Sequence, residues 1–351
     1  MKSSRKNQKN GSATLKDVAK MAGLTPAAVS MILNGRGKFK ESTVAKVRRI
    51  AEQVNYVPNA SAYRLVKQRT NLIGLLVPSM VEPFTIEILR GVEEALKGTP
   101  YNLVIYSTAG NDEQAEETIY RNIARGKQVD GLVVQLFDHT ERRTKVYASY
   151  QLPCAVIEAD LKSLDSVSVD NVQGAFEATD YLIRQGRRRI VFPYASASTV
   201  MSERLEGHLT ALRQHGLPIQ DELLIKVLYE TEEKFNFNEG VKLMEKLLQK
   251  VKHGEMKMFD AVFCANGDEV ATGVVRTLIQ HHIKVPHDVA VIGFDDQPIA
   301  CIVTPALTTV RQPIRQMGRT AVEFLLRRLE NPKQSPQSVR IVPELIIRET
   351  A

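Results

Sequence analysis

The sequence is poor in the features that would commit it to several large classes of protein. It has only three cysteines in 351 residues, Cys154, Cys264 and Cys301. Their wide spacing and odd number exclude a disulfide framework, and their surroundings predict buried, reduced thiols. The seven histidines are scattered. The adjacent pair His281 and His282 falls on different faces of a helix, so neither a metal site nor a cofactor is expected. No apolar run reaches membrane-spanning length, which excludes a membrane partner. No apolar stretch follows the basic N-terminus, so the expected compartment is the cytoplasm. A G-x-S-x-G elbow, a P-loop and a G-x-G-x-x-G after a strand are all missing. The paired acids Asp295 and Asp296 have no histidine or nucleophile to work with, so an enzyme is not expected. No leucine heptads follow PELIIRE (343–349), so no tetramer through a C-terminal coiled coil is expected.

What is present is charge, placed unevenly. Residues 1–70 carry fifteen Lys/Arg against three Asp/Glu, while the rest carries 32 basic and 37 acidic residues. A basic head on a mildly acidic body is the electrostatic footprint of a module that binds the phosphate backbone.

Residues 1–12 are polar and basic with nothing to bury, and are read as a disordered tail. An all-α domain follows over 13–57. Thr14 caps a helix whose apolar positions are Leu15, Val18, Ala19 and Ala22, and Gly23 ends it. Thr25 caps a second helix with Pro26 in its first turn and Val29, Ile32 and Leu33 inside; Asn34 and Gly35 close it. A third helix near 41–54 buries Val44, Val47, Ile50, Ala51 and Val54. Two short helices joined at a glycine turn form a DNA-reading helix-turn-helix. A small helical bundle without nucleic acid is the competing reading, and the concentrated charge favours DNA.

From Leu72 onward, strand-like runs at 72–77, 103–106, 131–134, 155–158, 190–192, 261–264 and 290–294 alternate with amphipathic helix patterns. This predicts an α/β body of parallel sheets with helices on both faces. About 280 residues is large for one such sheet, so two doubly wound lobes divided near 168–171 fit better. Such sheets bind ligands at the carboxyl ends of their strands, which places Pro83, Phe84, Glu158, Asp160, Asp268, Asp295 and Asp296 around an interlobe cleft. A helix cap is the alternative role for Asp268. Asp170 and Asn171 are read as holding the lobe crossover. Acids at Glu82, Glu158 and Asp160 argue against a phosphorylated ligand and for a neutral or amine-bearing one.

Several segments together resemble the lactose-repressor family of bacterial transcription regulators. They are TLKDVAKMAGLTPAAVSMILNG (14–35), YVPNASAYRL (56–65), GLLVPSMVEPF (74–84), VDGLVV (129–134), SVDN (168–171), ERLEG (203–207), VIGFDD (291–296) and TPALTTVRQP (304–313). The resemblance implies a dimeric repressor on a pseudo-palindromic double-stranded DNA operator, controlled by a small-molecule effector. It implies a body of periplasmic-binding-protein type. Lobe 1 is expected over about 71–168 plus 297–326, and lobe 2 over about 169–296 plus 327–351. It places base contacts at Pro26, Ala27 and Met31, where Met31 replaces the arginine of better-known members; Thr25, Ser30 and Asn34 are read as phosphate contacts, and Thr14 is also expected at the DNA. An inward-packed Met31 is the alternative. Residues 58–70 become a hinge helix and linker, with Asn59, Ala62 and Leu65 at the minor groove and Leu65 as the wedge; an ordinary linker is the alternative. The resemblance adds Arg204, Tyr229 and Gln312 to the effector site. Asp and Arg beside Phe84 suit a sugar or sugar derivative. A solute-binding protein shares such a body, and control by a protein partner is a further alternative.

Overall fold

The computed structural model describes residues 13–56, 69–108, 113–136, 141–194, 198–227 and 236–351. The chain divides into two units, Met1–Thr70 and Asn71–Ala351. The expected tail over 1–12 and the hinge residues Asn59, Ala62 and Leu65 lie outside the described residues, as does Tyr229.

In the first unit, helix α1 spans Leu15–Ala22, α2 Pro26–Leu33 and α3 Glu41–Gln53. Local chemistry sets each boundary. Thr14 and Asp17 form a reciprocal capping box: the Asp17 amide donates to Thr14 Oγ1 (3.4 Å) and the Thr14 amide to Asp17 Oδ2 (2.8 Å). Gly23 ends α1 at φ +71°, a conformation a Cβ would strain. Thr25 Oγ1 accepts from the Ala28 amide (3.2 Å), with Pro26 next in line. Val18, Ala19, Ala22, Val29, Ile32, Val47, Ile50 and Ala51 close one small core.

The second unit holds two six-stranded sheets. The first lobe comprises β1 (Leu72–Val77), α4 (Pro83–Leu96), β2 (Asn102–Ser107), α5 (Glu113–Arg125), β3 (Gly131–Gln135), α6 (Glu141–Ser149), β4 (Cys154–Ile157) and β5 (Asp165–Val169). The second comprises α7 (Asn171–Arg184), β6 (Ile190–Tyr194), α8 (Thr199–Gln214), β7 (Leu224–Lys226), α9 (Phe237–Lys252), β8 (Ala261–Phe263), α10 (Asp268–Gln280), β9 (Ala290–Asp295), α11 (Ile299–Ile302) and β10 (Thr308–Arg311). The chain then returns to the first lobe as α12 (Ile314–Glu330) and β11 (Ser338–Ile341), and ends in the second as β12 (Glu344–Ile346). The strand orders are β11-β5-β4-β3-β1-β2 and β12-β10-β9-β8-β6-β7. All pairs are parallel except β10 with β12.

The lobe boundaries expected from sequence need correction. Residues 308–311 pair with β9 and β12 in the second sheet, not the first. Residues 338–341 pair with β5 in the first sheet, not the second. The cause is a chain that crosses between lobes three times, after β5, β10 and β11. Each sheet has a separate apolar core on either face, which is why its central strands read as continuous hydrophobic runs. Cys154 and Cys264 are buried as expected; Cys301 is exposed, because it lies on the outer side of the short helix α11.

Helix α12 lies on α4 and against β3, β4 and β5. Its approach to α4 is close enough to require glycine: a Cβ on Gly91 would stand 1.9 Å from the Arg315 carbonyl oxygen, and one on Gly318 would stand 2.4 Å from that of Ile88. Among the described residues, no helix is long and apolar enough to cross a membrane.

Candidate functional site

In the first unit, α2 turns Val29 and Ile32 inward and leaves Thr25, Pro26, Ala27 and Met31 exposed. Met31 is 43% exposed, so the inward-packed alternative does not hold. Ser30 and Asn34 are half-buried and bonded to each other's turn, with Asn34 Nδ2 donating to the Ser30 carbonyl at 2.7 Å. Thr14 sits exposed at the other end of this unit's first helix, its hydroxyl donating to Asp17 at 2.7 Å. Arg36, Lys38, Lys40, Arg48 and Arg49 are also exposed. The unit therefore offers one short helix with an exposed outer face, together with several exposed cations.

In the second unit, the carboxyl ends of strands from both sheets enclose a cavity of about 80 Å3. Phe84, Glu158, Arg204, Asp268, Asp295 and Gln312 all line it, together with Glu82, Pro83, Ser198, Val200, Met201, Asn266, Gly267, Glu269 and Gln297. Three helix N-termini converge there: α4 with Pro83 and Phe84 in its first turn, α8 capped by Ser198, and α10 beginning at Asp268. Phe84, Val200 and Met201 supply apolar surface.

Arg204 is the cation of the site and is only 5% exposed. Its Nε donates to Asn171 Oδ1 (2.8 Å), its Nη1 donates to the Ala265 carbonyl (2.6 Å), and its guanidinium lies 3.7 Å from the Phe294 ring centroid. Asn171 is oriented in turn, because its Nδ2 donates to Glu203 Oε2 (3.0 Å). Burial lowers the Arg204 pKa, and Asp295 and Glu158 oppose that shift.

Three carboxylates in this cavity, Glu158 and Asp268 buried and Asp295 half-buried, differ in what holds them. Asp268 is fully buried and spoken for: Oδ1 accepts from Thr309 Oγ1 (2.5 Å) and Oδ2 from the Gln297 amide (2.7 Å). Its carboxyl is pushed well up by burial and by Asp295. Asp295 accepts from Gln312 Nε2 (2.6 Å) and more weakly from Gln297 Nε2 (3.4 Å). Burial pushes it up to about 6, against the pull of Arg204. Among the described residues, Glu158 accepts only from Gln135 Nε2, at 3.4 Å. Burial pushes it up to about 8, with Arg204 opposing and Asp295 adding. Glu158 and Asp295 also hold positive φ, +69° and +106°, a conformation disfavoured for residues with a Cβ.

Two expected residues lie elsewhere. Asp160 is bonded to Ser338 Oγ (2.7 Å) and Arg340 Nη2 (3.1 Å), because β11 runs beside β5 and draws the acid outward. Asp296 pairs with Arg311 (2.7 Å) and Arg348 (2.6 Å) instead of lining the cavity. Sequence reasoning missed Gln297 in the lining and Gln135 and Asn171 behind it. Gln135 ends a buried strand, so the strand-end rule alone would have found it. Among the described residues, no cluster of His, Cys, Asp or Glu is arranged to hold a metal ion.

Comparison with known proteins matches both units. Residues 14–59 match the model of bacterial regulatory proteins of the lacI family, and residues 179–351 match a periplasmic binding protein-like domain. The ribose operon repressor of Escherichia coli (strain K12) is 32% identical over 97% of this chain and all of its own length. A solved transcriptional regulator CelR–cellobiose complex is 27% identical with a TM-score of 0.70, covering 97% of this chain and all of that one. The lac repressor dimer bound to operator and an anti-inducer has a TM-score of 0.83 at 22% identity, over 97% of this chain and 99% of that one, a likeness of fold. These relatives are transcription regulators, not enzymes. The chain, a DNA-binding head joined to an effector-binding body, belongs to the lacI family of bacterial regulatory proteins.

Proposed function

We propose that the protein is a cytoplasmic, homodimeric repressor that binds a pseudo-palindromic operator and whose affinity is set by a sugar in the interlobe cavity. One observation carries the effector assignment: a buried guanidinium, two carboxylates of raised pKa and an aromatic ring are held together by both lobes. Hydroxyls on a rigid ring need acceptors and donors at several angles, with an apolar face beneath. The ribose and cellobiose named for the relatives support the same class. Pro26, Ala27 and Met31 are assigned to base edges and Thr25, Ser30 and Asn34 to phosphates, with Thr14 also at the DNA.

A sugar touching Phe84 and Glu158 in one lobe and Arg204 and Asp295 in the other stabilises one lobe arrangement over another. It changes DNA affinity only by its difference in affinity for the two arrangements. Reversing occupancy from 99:1 to 1:99 requires about 5.5 kcal/mol of that difference.

The test is a gel-shift titration on genomic fragments at two salt concentrations, repeated with each sugar that raises the melting temperature. Salt-sensitive retention and a more than tenfold change in operator affinity with one sugar are expected. Arg204→Lys should abolish the sugar response while the head still retains DNA. Retention insensitive to salt, or melting shifts that leave DNA affinity unchanged, would overturn the assignment.

A further inference from the structure

Of the carboxylates in the cavity wall whose bonds are described above, Glu158 has least to hold it. Its side chain comes from the first lobe, immediately after β4, and the residue is 8% exposed. It forms no ion pair among the described residues, and its one hydrogen bond is the long one from Gln135. Asp295 and Asp268 each have two donors. A buried carboxyl held by one long hydrogen bond is underpaired, and a ligand ammonium that takes the place of its proton satisfies it. Several other features of the cavity disfavour an anion. Arg204 already spends Nε and Nη1 on Asn171 and Ala265. Two of the three helix N-termini, which would otherwise attract an anion, already carry acids, Glu82 before α4 and Asp268 and Glu269 on α10, while α8, capped by Ser198, has none in its first turn.

We propose that the effector is an amino sugar, its ammonium seated against Glu158 and its hydroxyls against Asp295 and Arg204. This rests on the carbohydrate reading above and narrows it. Glu158 then decides between the amino sugar and the neutral sugar of the same shape, and the lobes are bridged by ligand charge as well as by hydroxyls. The groups facing Glu158 are Glu82, Asp268, Glu269 and Asp295, all acidic, and Arg204. Because burial keeps the empty site protonated to about pH 8, seating an ammonium must release the Glu158 proton to solvent.

The experiment is isothermal calorimetry on the full chain at about pH 6.5, in two buffers of different ionisation enthalpy, with the sugar amine protonated. The probes are glucosamine, galactosamine, their N-acetyl forms, the parent sugars and glucose 6-phosphate. The expected result is that one amino sugar binds at least tenfold more tightly than its parent and its N-acetyl form, releasing about one proton per chain. Glucose 6-phosphate should not bind. Glu158→Gln should erase both the preference and the proton release, while Asp160→Asn, outside the cavity, should change neither.

Parent sugars binding as tightly as the amines, with no proton released, would overturn this inference and leave the carbohydrate reading standing. Binding of a simple amine such as ethanolamine, dependent on Glu158, with no sugar bound, would overturn the carbohydrate reading and retain the carboxylate's role. No binding by any probe would overturn both.

Discussion

Gln312, in the second of the three crossovers between lobes, donates through Nε2 to Asp295 Oδ1 at 2.6 Å. The bond ties a segment that must bend when the lobes move to a carboxylate in the cavity wall. Gln312 is 5% exposed and Asp295 half-buried, so losing the donor leaves a partly buried acceptor underpaired. Such a loss costs about 1–3 kcal/mol. Gln312→Leu should lower the urea midpoint accordingly. It should also shrink the ratio of operator affinities measured with and without effector. An unchanged ratio would separate Asp295 from the coupling.

The raised carboxylates give the stability of the body a definite pH dependence. Glu158 ionises near 4.5 when solvated and near 8 in the fold; Asp295 moves from 3.8 to about 6. Between those values the folded chain binds more protons than the unfolded one, so stability falls as pH rises through the window. Their contribution is fully present below the solvated values and lost once the folded values are passed. The urea midpoint should therefore be lower at about pH 9 than at about pH 6, and Glu158→Gln should flatten the difference. A midpoint that rose through the same range would reverse the sign and exclude both groups as its source.

Gly91→Ala sets two effects against each other. Alanine favours the helix by about 1 kcal/mol. Its Cβ would stand 1.9 Å from a backbone carbonyl on α12, where no flexible side-chain end can give way. Overpacking against a rigid neighbour costs about 1–3 kcal/mol or more. Net destabilisation is expected, read as a lower melting temperature of the body. Gly318→Ala should behave alike, since its Cβ meets the Ile88 carbonyl.

Met31 faces outward on α2 and has no donor for a base edge. Met31→Arg should add a bidentate bond to guanine worth about 1–3 kcal/mol of discrimination. Selection from randomised duplexes should show a new guanine at one symmetric pair of positions. An unchanged preference would mean that this face of α2 does not read the groove.

The head was legible because its signals are local. Thr14, Gly23, Thr25 and Pro26 act within a turn of their own position, and the structure finds them at helix ends. The cavity was legible in part because one rule, residues just beyond buried strands, brought Phe84, Glu158, Asp268 and Asp295 together. The strands it missed explain the rest. DSVSV (165–169), TTVR (308–311) and SVRI (338–341) are not apolar runs, since their polar members are satisfied far along the chain. Asp165 of β5 accepts from Arg328 Nη2 at 2.9 Å, and Thr308 accepts from the Arg348 amide at 2.9 Å. Missing β11 misplaced Asp160, because its bonds to Ser338 and Arg340 are made by that strand.

The amino-acid sequence alone determined the division into a basic helical head and an α/β body, the caps of the head helices and the kind of residue at each strand end. Those follow from composition, periodicity and hydrogen bonds between neighbours, which do not depend on distant partners. Tertiary structure alone decided which lobe the returning segments join, which acids turn into the cavity and that Glu158 is left with one long hydrogen bond. Each of these depends on contacts between residues far apart in sequence, as between Asp160 and Arg340 or Gln312 and Asp295, where burial and geometry select the partner.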